Sequence, residues 1–156
     1  MSFDSIIAGI EGNAARDGFE AKEIEGFDRV WHRRKFMLSR VGLVDAVVTI
    51  RVAESVTELD LVRHEDDAFV VALGVKTWLP RGLGSAVEVH PITLAGNADA
   101  DAITYAGGSM RNRWSAMTMH ALIHGNPPQT VVFEGGKVWG AAYVGSVRSQ
   151  LKALVG

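Results

Sequence analysis

A segment rich in β-branched side chains, Leu43–Val52, constrains the fold of this chain more than any other stretch. Val, Ile and Thr favour extended backbone because their branched Cβ atoms lose rotamer freedom against the preceding turn of a helix. Residues 29–38 alternate in character, with Trp31 on one side of a strand and Phe36 on the other, and residues 39–42 suit a short loop. We therefore predict an antiparallel pair of strands.

Helical and extended patterns alternate along the rest of the chain. An apolar stripe indicates the first helix, with Ser2 or Asp4 as its cap, and Pro91 indicates that its strand lies at an edge or contains a bulge. The predicted elements of the first half are a helix over 3–15, a weak strand over 19–24, the strand pair, and a helix from a capping box at Ser55 to Trp78 that is broken near His64. A strand over 86–94, a long loop over 95–110 with a short strand at 103–105, and a helix over 112–124 follow. The chain ends with a hairpin of 130–134 with 137–143, in which Glu134 faces Lys137 and Val132 faces Trp139, and with a final helix capped by Ser146.

This order predicts an α+β fold with a mostly antiparallel sheet and helices packed on it, roughly α-β-β-β-α-β-α-β-β-α. The 156 residues fit a single α+β domain spanning 1–156. A chain of that length buries about 70% of its unfolded surface, which is enough for a self-sufficient core.

The composition excludes several classes of function. The chain has no cysteine, so disulfides, thiolate zinc sites, Fe–S clusters and cysteine nucleophiles are absent. Its net charge of -2 disfavours nucleic acid as a partner. It shows no signal peptide and no apolar run of the roughly 18 residues that a membrane span needs. We expect a soluble, cytoplasmic protein without a membrane partner.

The histidine pair His120 and His124 is the sequence feature with the most chemical content. On the predicted helix, spacing of three and four residues places Arg113, His120 and His124 on one face. Two imidazoles can supply half of a zinc site, with further ligands from distant segments, but Ala121 stands where the metalloprotease helix motif has its glutamate. The alternative is a pair of structural histidines near a helix C-terminus, where the dipole favours a cation.

A second candidate is the basic stretch Arg33-Arg34-Lys35 on the first strand of the pair. Cationic side chains beside aromatic rings suit single-stranded nucleic acid or a phosphate ligand. The alternative is a solvated strand face whose charges are balanced by acidic residues of the neighbouring segment, Glu20, Glu23 and Glu25.

No assembled catalytic signature is visible: the chain has no Gly-x-Ser-x-Gly elbow and no recognisable serine or threonine nucleophile setting. We therefore predict a non-catalytic accessory module that binds a protein partner or a small ligand, and that self-associates through aromatic surface. The alternatives are a metal-dependent enzyme or metal-binding protein using His120 and His124, and nucleic-acid binding through Arg33, Arg34 and Lys35. The sequence identifies no cofactor.

Overall fold

The computed structural model describes residues 3–38, 42–76, 78–81, 84–136 and 141–156. The described residues form a sheet of eight strands and four helices, which makes the fold α+β. In chain order these elements are α1 (Asp4–Arg16), β1 (Glu20–Lys22), β2 (Arg29–Met37), β3 (Gly42–Val56), α2 (Glu58–Val75), β4 (Ser85–Ala98), α3 (Ala100–Gly108), β5 (Arg111–Arg113), β6 (Ala116–Thr118), β7 (Ala121–His124), β8 (Gln129–Val132) and α4 (Ala141–Val155).

The sheet has a parallel centre and antiparallel margins. Strands β3 and β4 are parallel neighbours joined through α2, whereas β1, β2 and β3 pair antiparallel. The other side of β4 is shared by two short strands: β6 pairs with its first half and β7 with its second half. Hairpin partners β5 and β8 complete this side. The predicted class and approximate element order are confirmed.

Helices cover both faces of the sheet. On one face, Ile10 of α1 and Val147, Leu151 and Leu154 of α4 join the largest apolar cluster. On the other face, α2 packs its Ala68 and Ala72 against the strands, and α3 contributes Ala102 and Ala106. None of the described helices is long and apolar enough to cross a membrane.

The strand pair predicted from the β-branched segment is present. Its register runs from Arg29 opposite Ile50 to Met37 opposite Gly42, and residues 39–41 of the predicted loop lie outside the described residues. Gly42 has a packing reason to be glycine, because a Cβ there would stand 2.5 Å from the Gly84 carbonyl oxygen.

The first two helices are confirmed with corrected ends. The N-cap of α1 is Phe3 without a side-chain hydrogen bond, so Asp4 is not its cap, and Ser2 lies outside the described residues. The cap of α2 is Thr57, whose hydroxyl accepts from the Asp60 amide in a capping box, so the predicted box at Ser55 is displaced by two residues. Helix α2 runs unbroken through His64 and ends at Val75, before Trp78.

Pro91 lies in a central strand and not at a sheet edge. The Val87 amide and the Val89 carbonyl bond towards β6, so the missing N–H of Pro91 points to the same side two residues on. There the neighbouring strand is interrupted, because β6 ends opposite Val89 and β7 begins opposite Ile92. The lost donor therefore faces a gap, which explains how a proline is accommodated in the middle of the sheet.

The region 95–124 was predicted incorrectly. Residues 95–98 extend β4, and Asp99 then caps α3 by accepting from the Ala102 amide, so the predicted long loop is mostly strand and helix. The predicted helix 112–124 is instead β5, β6 and β7. Every residue of β6 is buried, so the segment lacks the alternation that identifies a strand from sequence.

The predicted C-terminal hairpin is also wrong where it can be judged. Val132 pairs with Ala121 of β7, and Glu134 contacts Lys152 of α4 at 2.6 Å. Lys137 and Trp139, the predicted partners, lie outside the described residues. Since α4 begins at Ala141, Tyr143 is helical and Ser146 is inside the helix. Val147, Leu151 and Leu154 of this helix are buried.

Candidate functional site

His120 lies between β6 and β7, opposite the Pro91 gap, and is 1% exposed. Its Nε2 is 2.8 Å from Thr93 Oγ1, and its Nδ1 is 3.3 Å from Glu65 Oε1. A histidine that was predicted on a helix face is therefore held between a strand and a helix by polar contacts on both ring nitrogens.

These contacts belong to a longer buried chain of hydrogen bonds. The ring of His64 lies 5.3 Å from that of His120, in an edge-to-face arrangement. Its Nδ1 is 2.8 Å from Thr93 Oγ1, and its Nε2 is 2.9 Å from Thr49 Oγ1. The hydrogen bonds link Thr49 to His64, His64 to Thr93, Thr93 to His120, and His120 to Glu65.

One assignment of the protons satisfies every contact in this row. The Glu65 carboxylate accepts from His120 Nδ1, and the Thr93 hydroxyl donates to His120 Nε2. The Thr93 oxygen therefore accepts from His64 Nδ1. His64 Nε2 in turn accepts from the Thr49 hydroxyl. In this assignment both imidazoles carry a hydrogen on Nδ1, as inferred from the network of donors and acceptors.

The electrostatics of His64 agree with a neutral ring. Burial lowers the pKa of His64 well below 6.5, and the nearby His120 and Arg51 lower it further. Desolvation disfavours the cationic imidazolium, so the neutral form dominates at neutral pH.

Glu65 is the last residue of this hydrogen-bonded row, and two further side chains contact it. Tyr105 Oη donates to Glu65 Oε2 at 2.8 Å, and Arg111 Nη1 lies 3.6 Å from the same oxygen. Burial raises the pKa of Tyr105, and the negative charge of Glu65 acts in the same direction. The phenol therefore stays protonated and keeps donating to the carboxylate.

Arg113, predicted as a ligand-binding residue beside the histidines, lies close to this chain but not in it. Its guanidinium donates to Asp66 Oδ1 at 2.6 Å, and Arg111 donates to the same oxygen at 2.7 Å. The group also lies over the Phe69 ring, 4.0 Å from its centroid. Arg113 is thus separated from His120 by the adjacent carboxylates of α2.

The local sequence explains how these hydrogen-bonded side chains come together. Thr49 and Thr93 point to the same sheet face, because Arg51 stands opposite Thr93 in the parallel register and side chains alternate along each strand. The Thr57 cap starts α2 so that His64 and Glu65, both buried, face this part of the sheet. Three separate segments therefore place polar side chains in one buried row.

A cavity of about 370 Å3 lies beside this row. It is bounded by the second half of β3, the first turns of α2 and the loop before β2. Its inner wall includes His64 and Thr93. The other polar and charged side chains around it are Asp28, Arg51, Ser55, Asp60 and Arg63.

His124 is not part of this row of hydrogen-bonded side chains in the described structure. It is half-buried in β7, opposite Ala95 on one side and Gln129 on the other. The predicted pair therefore does not act as a unit through a helix face. Among the residues that the structure describes, no three His, Asp or Glu side chains are grouped so that they could hold a metal ion.

Two of the three predicted basic residues on β2 are engaged within the protein. Arg33 donates to Asp17 at 2.6 Å and lies over the Phe19 ring, and Arg34 donates to the buried Asp45 at 2.9 Å. The balancing carboxylates are therefore Asp17 and Asp45, not the glutamates near β1. Lys35 is exposed.

A contrasting buried pair lies on the opposite face of the sheet. His90 is completely buried, and neither ring nitrogen has a hydrogen-bond partner within the described part of the chain. Glu88 Oε2 is 3.7 Å from His90 Nε2, which is beyond hydrogen-bond distance.

Comparison with known proteins adds no functional information: no family model, curated protein or solved structure matches this chain. The site must therefore be interpreted from its own residues. Sequence reasoning identified His120 but missed Thr49 and Thr93, which resemble ordinary strand formers. It named His64 as the place where a helix would break.

Proposed function

We propose that this chain is a binding module for a small polar ligand that occupies the cavity between β3 and α2. The observation that carries the proposal is that His64 and Thr93 form its inner wall while belonging to the buried chain. Concave sites with a few convergent polar groups are where proteins usually bind small molecules.

The charges around the cavity favour a ligand with an anionic group. Asp28 accepts from the Val52 amide, and Asp60 accepts from Thr57. Arg51 is held by Asp67 and the Gly26 carbonyl. Arg63, in contrast, is exposed, and its charge acts on Asp60, whose pKa is lowered first by hydrogen bonds from Thr57 and then by Arg63. A carboxylate or phosphate would gain charge-assisted hydrogen bonds there.

The test is a thermal-shift and NMR titration with acetate, succinate, citrate and inorganic phosphate. At about 100 times its Kd, a ligand adds about 2.7 kcal/mol, which raises the Tm by roughly 5 °C or more. Amide shifts should map to residues around the cavity. Arg63→Ala should weaken binding about tenfold, as expected for losing one charged hydrogen bond.

Arg16→Ala is the matched control, because Arg16 is an exposed arginine of α1 on the other face of the sheet. It should bind as tightly as the parent. The proposal fails if none of the four anions shifts the Tm, or if Arg63→Ala binds unchanged.

We also propose that the module acts in the cytoplasm and self-associates. Trp78 is 87% exposed and Trp114 is 77% exposed, and the Trp114 indole N–H donates to the Arg81 carbonyl three residues after Trp78. Exposed tryptophans are enriched in protein interfaces. Sedimentation velocity should show a dimer that Trp114→Ser weakens and that Leu59→Ser, at another exposed apolar site, leaves intact.

An enzyme that uses His120 is the second candidate. The contact between His120 Nδ1 and Glu65 favours it, because a carboxylate that orients an imidazole is the arrangement of many general bases.

A further inference from the structure

We propose that Thr93, His120 and Glu65 form a nucleophile–base–carboxylate triad that transfers acyl groups from an ester-type ligand in the cavity. The inference rests on the proposed function in one respect, since the substrate must occupy that cavity. It adds a covalent chemistry that simple binding does not need.

The distances suit the three roles. Thr93 Oγ1 is 2.8 Å from His120 Nε2, within the range in which an imidazole takes a proton from a hydroxyl. His120 Nδ1 is 3.3 Å from Glu65 Oε1, so the carboxylate orients the ring and stabilises the imidazolium that forms. Thr93 belongs to the inner wall of the cavity, where a carbonyl carbon could reach it.

Three neighbours prepare this arrangement. Tyr105 and Arg111 hold Glu65 from its other oxygen, which leaves Oε1 for His120. His64 Nδ1 donates to Thr93 Oγ1 at 2.8 Å, which orients the hydroxyl so that its proton points to His120 Nε2. We assign these three as positioning residues, because they act through Thr93 or Glu65.

The reaction balances with water as the only co-reactant. A lone pair of Thr93 Oγ1 attacks the carbonyl carbon while His120 Nε2 takes the hydroxyl proton, and the carbonyl π electrons move to oxygen. Collapse of this intermediate breaks the bond to the alcohol, which leaves with the proton from Nε2, and gives acyl-Thr93. Water then attacks the acyl group with His120 as base, which releases the acid and regenerates Thr93.

The test uses p-nitrophenyl acetate with the full chain. We expect a burst of nitrophenolate and an acetyl group located on Thr93 by peptide mass spectrometry. Replacing His120 by Gln should slow the burst about a hundredfold, the lower end for loss of a general base. The Thr93→Val variant should abolish the adduct, whereas Thr93→Ser should keep it.

The control is Thr104→Val, because the Thr104 hydroxyl lies on α3 and bonds the Ala100 carbonyl of the same helix. It should react like the parent. The adduct in the unmodified chain is a direct readout, so it decides the question even if Thr93→Val fails to fold. Absence of acetyl-Thr93, or a burst that His120→Gln does not change, overturns the triad.

The two proposals fail separately. Anion binding at the cavity without acetyl-Thr93 leaves the binding module standing and removes the triad. Acetyl-Thr93 without binding of any of the four anions supports the triad and removes the anionic ligand.

Discussion

The two faces of the sheet treat buried histidines in opposite ways. On the face covered by α2 and α3, both ring nitrogens of His64 and of His120 are hydrogen-bonded. On the face covered by α1 and α4, His90 is equally buried but lacks such partners among the described residues. The difference follows from the covering helices, because α2 brings Glu65 and His64 to its face, whereas α1 and α4 contribute mainly apolar side chains.

The two faces therefore differ in whether their buried histidines have hydrogen-bond partners. A buried polar group that is fully paired specifies one arrangement, whereas one without partners costs stability. The hydrogen-bonded row from Thr49 to Glu65 therefore has the features of a maintained site, whereas the His90 ring lacks hydrogen bonds among the described residues.

The same substitution at the two sites is the most direct way to break this comparison. His120→Leu leaves the Thr93 hydroxyl without its acceptor and removes a donor from buried Glu65, so we expect a loss of about 2–4 kcal/mol. His90→Leu removes a ring that lacks hydrogen bonds but lies 3.7 Å from the buried Glu88 carboxylate, so we expect a change of about 1 kcal/mol or less. Urea unfolding of both variants measures the difference, and equal losses would contradict it.

The pH dependence of stability sharpens the comparison with a smaller effect. Burial holds the folded pKa of His64 below 6.5, so the unfolded chain takes up a proton that the folded chain refuses. Stability from this group is present above pH 6.5 and is lost as the pH falls below it, by up to about 1.4 kcal/mol per unit. Urea midpoints at pH 7.5 and 5.5 should show this loss.

His64→Gln is the matched variant for this pH experiment, because glutamine retains hydrogen-bonding groups but does not titrate. Its stability should fall less steeply between the two pH values. A slope equal to that of the parent would assign the pH dependence to other groups.

The smallest expected effect concerns the start of α2, which positions His64 and Glu65. Thr57→Ala removes the cap hydroxyl that accepts from the Asp60 amide, and we expect a loss of about 1 kcal/mol. Ser55→Ala alters the residue that the sequence pattern indicated as cap, and it should change stability by less than about 0.5 kcal/mol. A larger loss of stability for Ser55→Ala than for Thr57→Ala in thermal unfolding would contradict the assignment of Thr57 as the cap.

Local patterns predicted the fold where a segment has strong β-branched content or a clear apolar stripe. The β2–β3 pair follows from alternation and β-branched content, and α1 follows from its apolar stripe. The patterns failed over 112–124, since buried strands without alternation have the same apolar spacing as a helix. They also missed α3, whose short alanine-rich run after Asp99 resembles a loop.

The sequence by itself determined an α+β chain with a β-branched centre and no thiol chemistry, and it singled out His120. Only the tertiary structure decided what that histidine contacts. His120 is 27 residues from Thr93 and 55 residues from Glu65 along the sequence, and no local pattern specifies contacts over such separations. The parallel register of β3 and β4 and the packing of α2 bring these side chains together, because burial leaves polar groups to find partners in whichever segment lies opposite.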